Sequence, residues 1–212
     1  CRRGLSALRL PRRYNLNKVM PLAGMPENFE DYQANKTHRA DILAINPRGK
    51  LPALEDHANG VVLAESAAIN TYLGDRFGDG KIVPRAGTAE RGTHDQWCYF
   101  LMAEIDAQSL WTNYKFTTMG GLYSIEKNEM TAESCRLYFN KQIKVCAEEL
   151  KERGPYICGA DFTAADILLT HCLNWAGSFE WELPEDGVFQ EYLQRTTTRP
   201  AYLAVYAPKP KL

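Results

Sequence analysis

The chain has 212 residues, of which 45% are hydrophobic and 24% are charged, and this suits one or two globular domains with buried cores. Its 25 basic and 26 acidic residues leave a formal net charge of −1, which excludes an overall field that would attract nucleic acid or an anionic membrane. Because no apolar run approaches about 18 residues, we predict no membrane span.

Cysteine and histidine usage limits the chemistry. Six cysteines are scattered without a CxxC pair and the sequence shows no secretory signal, a pattern typical of free thiols in a reducing compartment such as the cytoplasm. None of the four histidines lies beside a cysteine or another histidine at metal-ligand spacing, so we expect no metal.

The first third of the chain alternates short patterns. Residues 1–15 hold five arginines and no acidic residue, the bias of a transit peptide, but Pro11 and a single serine make that the weaker interpretation. Leu5 and Leu8 suggest a helix ending near Pro11, followed by a short edge strand at residues 18–22 that carries a proline. Residues 28–44 are polar and loosely helical.

The next segment predicts a hairpin and a helix. Two apolar runs, at residues 51–54 and 60–64, are separated by a turn-forming stretch, Glu-Asp-His-Ala-Asn-Gly, and this is typical of a β-hairpin. Residues 67–77 place Ile69, Tyr72 and Leu73 at helical spacing.

A composition shift divides the chain. Residues 78–87 hold three glycines and a proline, and all that follows is patterned for helix, so we predict an α/β domain at 1–77, a linker at 78–87 and an all-α domain at 88–212. Its long helices are expected at 88–116, with Trp97, Leu101, Ile105 and Trp111 along one side, and at 131–153, with Leu137, Ile143 and Leu150. Gly154-Pro155 ends the second. A third helix runs from Thr163 to Trp175, and short helices follow near 186–196 and 200–206.

Two short polar or proline-containing motifs interrupt the apolar patterns of the first domain. Leu51-Pro52 stands at a strand entry, where a cis bond would turn the Leu51 peptide group toward an extended peptide ligand. From the dipeptide alone, an ordinary trans proline that starts the strand is the preferred interpretation. Glu65-Ser66 begins a helix, where Ser66 and free N–H groups could hold a carboxylate and Glu65 an ammonium, or where Ser66 could only cap the helix.

In combination these motifs resemble a known family. The run from Asn46 to Asp56, Asn-Pro-Arg-Gly-Lys-Leu-Pro-Ala-Leu-Glu-Asp, and the later Val-Leu-Ala-Glu-Ser-Ala-Ala-Ile from Val62 resemble the glutathione-binding half of cytosolic glutathione transferases. Gly159-Ala-Asp-Phe-Thr-Ala-Ala-Asp-Ile resembles the helix-capping motif of the same family. The resemblance implies a fold of class α/β plus all-α, a thioredoxin-like domain followed by a helical bundle, and a homodimer.

The resemblance also implies site residues. Leu51 would pair through its backbone with the cysteinyl part of glutathione, beside a cis Pro52. Glu65 and Ser66 would hold the amino and carboxylate ends of the γ-glutamyl group. Lys50 and His38 would face the glycyl carboxylate. Glutathione would be a co-substrate, and the second substrate a small hydrophobic electrophile.

Other side chains of the helical half are candidates for the electrophile pocket or for folding. In the family this pocket lies between the first long helix of the second domain and the C-terminal region, so that Tyr99, Trp111, Tyr114 and Trp181 are aromatic candidates, although aromatic residues at helical spacing are usually core. The acids Glu104 and Asp106 are interpreted as solvated or packing-satisfied helix residues. Thr163 and Asp166 form a capping box that supports folding rather than catalysis.

The group that activates the glutathione sulfur is unassigned. In the family it is a serine, tyrosine or cysteine just after the first strand, whereas this chain opens at Cys-Arg-Arg-Gly, which resembles the helix that follows that strand. Cys1 is a weak candidate, and Ser6 lies too far into the helix. We expect the chain to be an N-terminally incomplete version of a longer protein, with the catalytic residue upstream of Cys1.

Three functions remain open. The first is conjugation of glutathione to small electrophiles, which the joint presence of Lys50, Pro52, Glu65 and Ser66 favours. The second is a glutathione-dependent isomerase of the maleylacetoacetate type, which would use the same pocket. The third is a non-catalytic binding or assembly module of the kind fused to translation factors.

Overall fold

The structure is a computed structural model that describes residue 40 and residues 43–118, 128–184 and 187–206. The predicted helix before Pro11, the strand at 18–22 and most of the stretch at 28–44 lie outside these ranges. Residues 40 and 43–45 are helical. The strands and helices that follow are, in chain order, β1 (Ala53–Asp56), β2 (Val61–Ala64), α1 (Ser66–Phe77), α2 (Ala89–Phe100), a π-helical segment (Leu101–Trp111), α3 (Thr112–Thr117), α4 (Glu129–Arg153), α5 (Ala164–Ser178), α6 (Val188–Thr197) and α7 (Pro200–Tyr206).

The predicted hairpin is confirmed. Strands β1 and β2 are antiparallel, with Ala53 opposite Ala64 and Asp56 opposite Val61. The first strand begins two residues later than predicted. Pro52 has no N–H to donate to a strand ladder, which explains why the paired region starts after it.

Asp56 joins the hairpin turn to helix α1. This side chain is 1% exposed and accepts hydrogen bonds from Ala58 N at 3.0 Å, Asn59 Nδ2 at 2.7 Å and the Tyr72 hydroxyl at 2.6 Å. These donors, the Tyr72 hydroxyl foremost, hold the pKa of Asp56 below its usual value. The hairpin and helix are thereby held in one arrangement above a small core of Leu54, Ile69 and Leu73.

The segment at 78–87 packs against both halves of the chain. Val83 is 1% exposed and lies against Gly74 of α1, where an added Cβ would come within 2.8 Å of the Val83 Cβ. The Ile82 carbonyl accepts a hydrogen bond of 2.8 Å from Ala164 N at the start of α5. The domain boundary placed in this segment stays a prediction.

One continuous helical run, from α2 through α3, forms the first long helix that the sequence predicts. Trp97, Leu101 and Ile105 are buried on its inner side as expected. The run is not α-helical throughout, because residues 101–111 adopt the wider π-helical geometry, which is frequent at functional sites.

Helix α4 (Glu129–Arg153) matches the second long helix predicted at 131–153. Ile143 is fully buried, but Leu137 is 56% exposed. The buried positions are Cys135, Phe139, Ile143, Cys146 and Ala147. Each lies three or four residues from another of the set, so they form a single helical stripe. Leu137, one of the apolar residues on which the helix prediction rests, lies outside that stripe.

The capping box of α5 is confirmed. The Thr163 backbone N–H donates to Asp166 Oδ2 at 2.8 Å, and Thr163 has the extended backbone of an N-cap residue. Helix α5 then runs through the larger core, which it shares with α2, the π-helical segment and α4. No helix in the described part of the chain is long and apolar enough to cross a membrane.

Candidate functional site

Asn46 shapes the loop that leads into β1. Its side-chain Nδ2 donates to the Lys50 carbonyl at 2.7 Å, its Oδ1 accepts from Arg48 N at 3.2 Å, and its own carbonyl accepts from Gly49 N at 2.8 Å. Gly49 has a φ of 63°, a conformation that glycine adopts without steric cost. Sequence reasoning gave Asn46 no role, although Asn-Pro-Arg-Gly is a turn signal that could have revealed it.

The Leu51-Pro52 peptide bond is cis, as the family resemblance implies. Pro52 is buried and Leu51 is half-buried at the edge of the hairpin. No hydrogen bond joins the Leu51 backbone to another of the described residues. Its amide and carbonyl are therefore available, within this part of the chain, to an extended ligand that adds on as a strand.

Glu65 and Ser66 lie at the positive end of α1. Glu65 has φ 72° and ψ 122°, a backbone conformation that residues other than glycine rarely adopt. Its side chain is 67% exposed and pairs with Arg48 Nη1 at 2.7 Å. Ser66 opens a helix of 12 residues, whose first N–H groups and dipole favour an anion. Glu65 can therefore accept hydrogen bonds from an ammonium group, and the N-terminus of α1 at Ser66 can donate them to a carboxylate of the same ligand.

Lys50 connects the two halves of the candidate site. Its Nζ lies 5.5 Å from the centroid of the Trp111 ring, within the range of a cation–π interaction. Trp111 belongs to an aromatic cluster, with ring centroids 5.7 Å from Tyr114 and 5.3 Å from Trp175. The structure thus brings Lys50 to one of the predicted pocket residues, Trp111, which packs against a second, Tyr114. It also adds Trp175 of α5, which the sequence analysis names only as the end of a helix.

The two other aromatic candidates lie elsewhere. Tyr99 is 70% exposed on α2 and makes no ring contact with the described aromatic residues. Trp181 packs against Phe139 at 5.3 Å and Phe179 at 5.4 Å, and it flanks the larger core. Their assignment to an electrophile pocket stays a prediction.

The two acids of the π-helical segment behave differently from each other. Glu104 accepts hydrogen bonds from the Tyr138 hydroxyl and from Gln108 Nε2, as expected of a satisfied helix residue. Asp106 is only 9% exposed, and its Oδ1 has no hydrogen-bond partner among the described residues. The expectation that Asp106 is solvated or satisfied was therefore wrong, because the segment turns this side chain inward.

The described thiols are not activated. Burial raises the pKa of Cys98 to about 12 and that of Cys158 to about 11, and it also raises the pKa values of Cys135, Cys146 and Cys172. A thiol is a nucleophile only as the thiolate, and burial disfavours that form of these side chains. The candidates Cys1 and His38 lie outside the described residues. Within the described ranges, no cluster of three or more histidine, cysteine or acidic side chains could hold a metal.

Family models match most of the chain. Residues 19–76 match the model of the glutathione S-transferase N-terminal domain, and residues 97–200 match that of the glutathione S-transferase C-terminal domain. A thioredoxin-like domain followed by an all-helical domain is the fold that these matches define. The chain belongs to the glutathione S-transferase family.

Individual relatives agree with this assignment at moderate similarity. Glutathione S-transferase GstA of Escherichia coli O157:H7 is 28% identical over 162 residues, covering 76% of this chain and 74% of that protein. Disulfide-bond oxidoreductase YfcG of Escherichia coli K12 is 27% identical over 176 residues, covering 77% and 74%. The crystal structure of glutathione transferase URE2P6 from Phanerochaete chrysosporium with oxidized glutathione has a TM-score of 0.68 and 25% identity, covering 82% of this chain and 80% of that one.

Proposed function

We propose that this protein binds glutathione and transfers its thiolate to small electrophiles. The observation that carries the proposal is the contact of Lys50 with Trp111, because it joins a predicted glutathione-binding residue to the aromatic cluster of Trp111, Tyr114 and Trp175. A purely structural module would have no need for Lys50, Pro52, Glu65 and Ser66 to be present together. Family membership supports the same class of reaction.

The proposed binding roles follow the chemistry of glutathione. The backbone of Leu51 pairs with the cysteinyl residue in the manner of an added strand. Ser66 and the first N–H groups of α1 hold the γ-glutamyl carboxylate, and Glu65 pairs with the adjacent ammonium. Lys50 faces the glycyl carboxylate, and His38 is assigned the same partner.

The proposed reaction is a nucleophilic displacement or addition. With an aryl halide, the sulfur of the thiolate forms a bond to the carbon that carries the halogen, and the carbon–halogen bond breaks to release halide. Trp111 and Tyr114 provide an apolar surface for the electrophile. The group that stabilises the thiolate is not assigned among the described residues, and Cys1 is a candidate for it.

Glutathione-dependent reduction of disulfides is a second candidate function. The relative named as a disulfide-bond oxidoreductase supports it. In that case the electrons would come from two glutathione molecules, which become oxidized glutathione while the substrate disulfide is reduced to two thiols. A homodimer and a cytoplasmic location stay predictions.

Steady-state assays with matched variants test the proposal. We expect the wild-type protein to conjugate a generic aryl halide in the presence of glutathione. Lys50→Met should raise the KM for glutathione by about three- to tenfold, because loss of one partly solvated ion pair costs about 1 kcal/mol. Lys81→Met, at an exposed lysine outside the site, is the control and should leave KM unchanged.

The assays also separate the alternatives. Turnover of a small disulfide without conjugation of the aryl halide would favour the oxidoreductase. Turnover of maleylacetoacetate alone would favour the isomerase. Retention on immobilised glutathione without any turnover would favour a binding module, and an equal KM for wild type and Lys50→Met would contradict the role of Lys50.

A further inference from the structure

Arg91 lies where the two halves of the chain meet. It belongs to the first turn of α2, and its side chain is only 14% exposed. Its Nη1 and Nη2 donate to the two carboxylate oxygens of Asp75 on α1 at 2.9 and 3.3 Å, and Nη1 also donates to the Pro84 carbonyl at 3.2 Å. Its Nε donates to both oxygens of Asp95 on α2 at 3.0 Å. One guanidinium group thus joins helix α1, the segment at 78–87 and helix α2.

These contacts use the planar shape of the guanidinium group. Two parallel hydrogen bonds to one carboxylate fix its orientation as well as its distance, and a lysine ammonium cannot reproduce that geometry. Asp95 is held in turn, because its Oδ1 lies 2.9 Å from Nδ1 of the buried His94. The arrangement therefore holds Asp75 in one position relative to α2.

Helix α1 is attached to the helical half near both of its ends. Near its N-terminus, Ala67 packs against the larger core. Near its C-terminus, Val83 packs against α1 and Asp75 is bound by Arg91. Between these ends, Asn70 lines a cavity together with α5 residues such as Thr170, so this face of α1 is not closely packed against α5. The orientation of α1 therefore depends on the contacts at its ends.

That orientation matters for the proposed site. Glu65 and Ser66, at the N-terminus of α1, are proposed to hold glutathione, whereas the proposed apolar surface for the electrophile belongs to the helical half. Ser66 and Asp75 lie about 14 Å apart along the helix axis, so a tilt of about 4° displaces one end by about 1 Å relative to the other. A misplacement of about 1 Å between reacting groups can lower a rate by about 100-fold.

We propose that Arg91 is a positioning residue of the proposed active site. By holding Asp75 it keeps α1, and with it the bound glutathione, in one position relative to Trp111 and Tyr114. This inference rests on the proposed function. Arg91 has no proposed contact with either substrate, and the proposed contacts with glutathione all lie in the first half of the chain. It therefore serves the approach of the sulfur to the electrophile and not the affinity for glutathione.

Kinetic and binding measurements on matched variants test this separation. With chlorodinitrobenzene as the aryl halide and saturating glutathione, Arg91→Met should lower kcat by about 10- to 100-fold, at a temperature where circular dichroism shows each variant to be folded. The Kd for S-methylglutathione, measured by calorimetry, should stay within about twofold of wild type. Arg91→Lys keeps the charge but loses the bidentate geometry, so it should also lower kcat.

Two further variants identify the contact responsible. Arg91→Met combined with Asp75→Asn should lose no more activity than Arg91→Met alone, because both changes remove the same contact. Arg85→Met is the control. Arg85 is 79% exposed and pairs with Asp79 within its own segment, so this variant should keep the wild-type kcat.

A distance measurement tests the same role without turnover. Spin labels at Val62→Cys on β2 and Leu137→Cys on α4, both 56% exposed in wild type, report the separation of the two halves by pulsed electron paramagnetic resonance. The background carries Cys1→Ser, and the described cysteines are buried or half-buried. We expect one narrow distance distribution for the background and for Arg85→Met, and a broader or shifted one for Arg91→Met.

The outcomes distinguish this inference from the proposed function. An unchanged distance distribution in Arg91→Met would overturn the role of Arg91, as would equal losses of glutathione affinity and kcat, which would indicate general damage to the fold. Failure of wild type to bind S-methylglutathione or to conjugate the aryl halide would instead contradict the proposed function, and the active-site role of Arg91 with it.

Discussion

Replacing Glu65 by glycine is expected to weaken glutathione binding by about 10- to 100-fold while making the fold more stable. Glu65 has φ 72° and ψ 122°, a conformation that costs a non-glycine residue on the order of 1–3 kcal/mol. Glycine relieves that strain, and its greater freedom in the unfolded chain offsets about 0.5–1 kcal/mol of the gain. The net expectation is about 1 kcal/mol of added stability.

The loss of binding has a separate cause. Glu65 is proposed to pair with the γ-glutamyl ammonium, and a charge-assisted hydrogen bond contributes about 1.5–3 kcal/mol, which corresponds to about 10- to 100-fold in Kd. The ion pair with Arg48 joins side chains that are 58% and 67% exposed, so its loss contributes little to stability.

Urea unfolding and calorimetric titration measure the two effects independently. Glu65→Gln is the matched control, since it keeps the backbone strain and the side-chain size but removes the charge. It should weaken binding without increasing stability. A glycine variant that binds glutathione as tightly as wild type would show that Glu65 does not hold the ligand, and one less stable than wild type would show that its backbone is not strained.

Replacing Asp166 by alanine is expected to cause the largest loss of stability, about 3–5 kcal/mol. The carboxylate is fully buried. Its Oδ1 accepts from Ile157 N at 2.8 Å and from the Tyr192 hydroxyl at 2.9 Å, and its Oδ2 accepts from Thr163 N at 2.8 Å and Thr163 Oγ at 3.1 Å. Alanine would leave the backbone N–H groups of Ile157 and Thr163 without this acceptor, each at a cost of about 1–3 kcal/mol before relaxation. The Tyr192 hydroxyl would keep its 3.3 Å contact with the Asp166 carbonyl.

The free energy of unfolding in urea at pH 7 measures this loss. Asp161→Ala, at an exposed acid in the preceding turn, is the control and should change stability by no more than about 0.5 kcal/mol. If Asp166→Ala loses less than about 1 kcal/mol, the carboxylate acts only as an ordinary helix cap and not as the centre of a buried network.

Local signals predicted the elements that a few neighbouring residues determine. Gly154-Pro155 ends α4 at Arg153, and Thr163 with Asp166 begins α5. The turn-forming residues between two apolar runs form the hairpin. Each depends on backbone restrictions or on hydrogen bonds within about four residues, and such effects are contained in the sequence itself.

Features that depend on packing between distant segments were not predictable in this way. The π-helical geometry of residues 101–111 turns Asp106 inward, and no local pattern distinguishes it from the exposed face of an ordinary helix. The hydrogen bond that Asp166 accepts from the Tyr192 hydroxyl on α6 also forms only when the core brings α5 and α6 together. Leu137 is apolar but 56% exposed, so hydrophobic character alone does not predict which residues of α4 are buried.

The candidate site also combines features that local sequence predicts with features that depend on tertiary packing. The motifs around Lys50, Pro52, Glu65 and Ser66 suggested which residues would meet glutathione, and the structure adds what those motifs cannot contain. The contact of Lys50 with Trp111 and the positive φ of Glu65 both arise from tertiary structure. Backbone strain of this kind is retained where the surrounding fold holds it for function.

A crystal structure of the protein with glutathione bound is the most direct test of the central claim. We predict that the γ-glutamyl carboxylate lies within about 3.2 Å of the Ser66 backbone N–H, that the cysteinyl backbone pairs with Leu51, and that the γ-glutamyl ammonium contacts Glu65. Glutathione bound away from these three residues, or no bound glutathione at millimolar concentration, would contradict the proposed site.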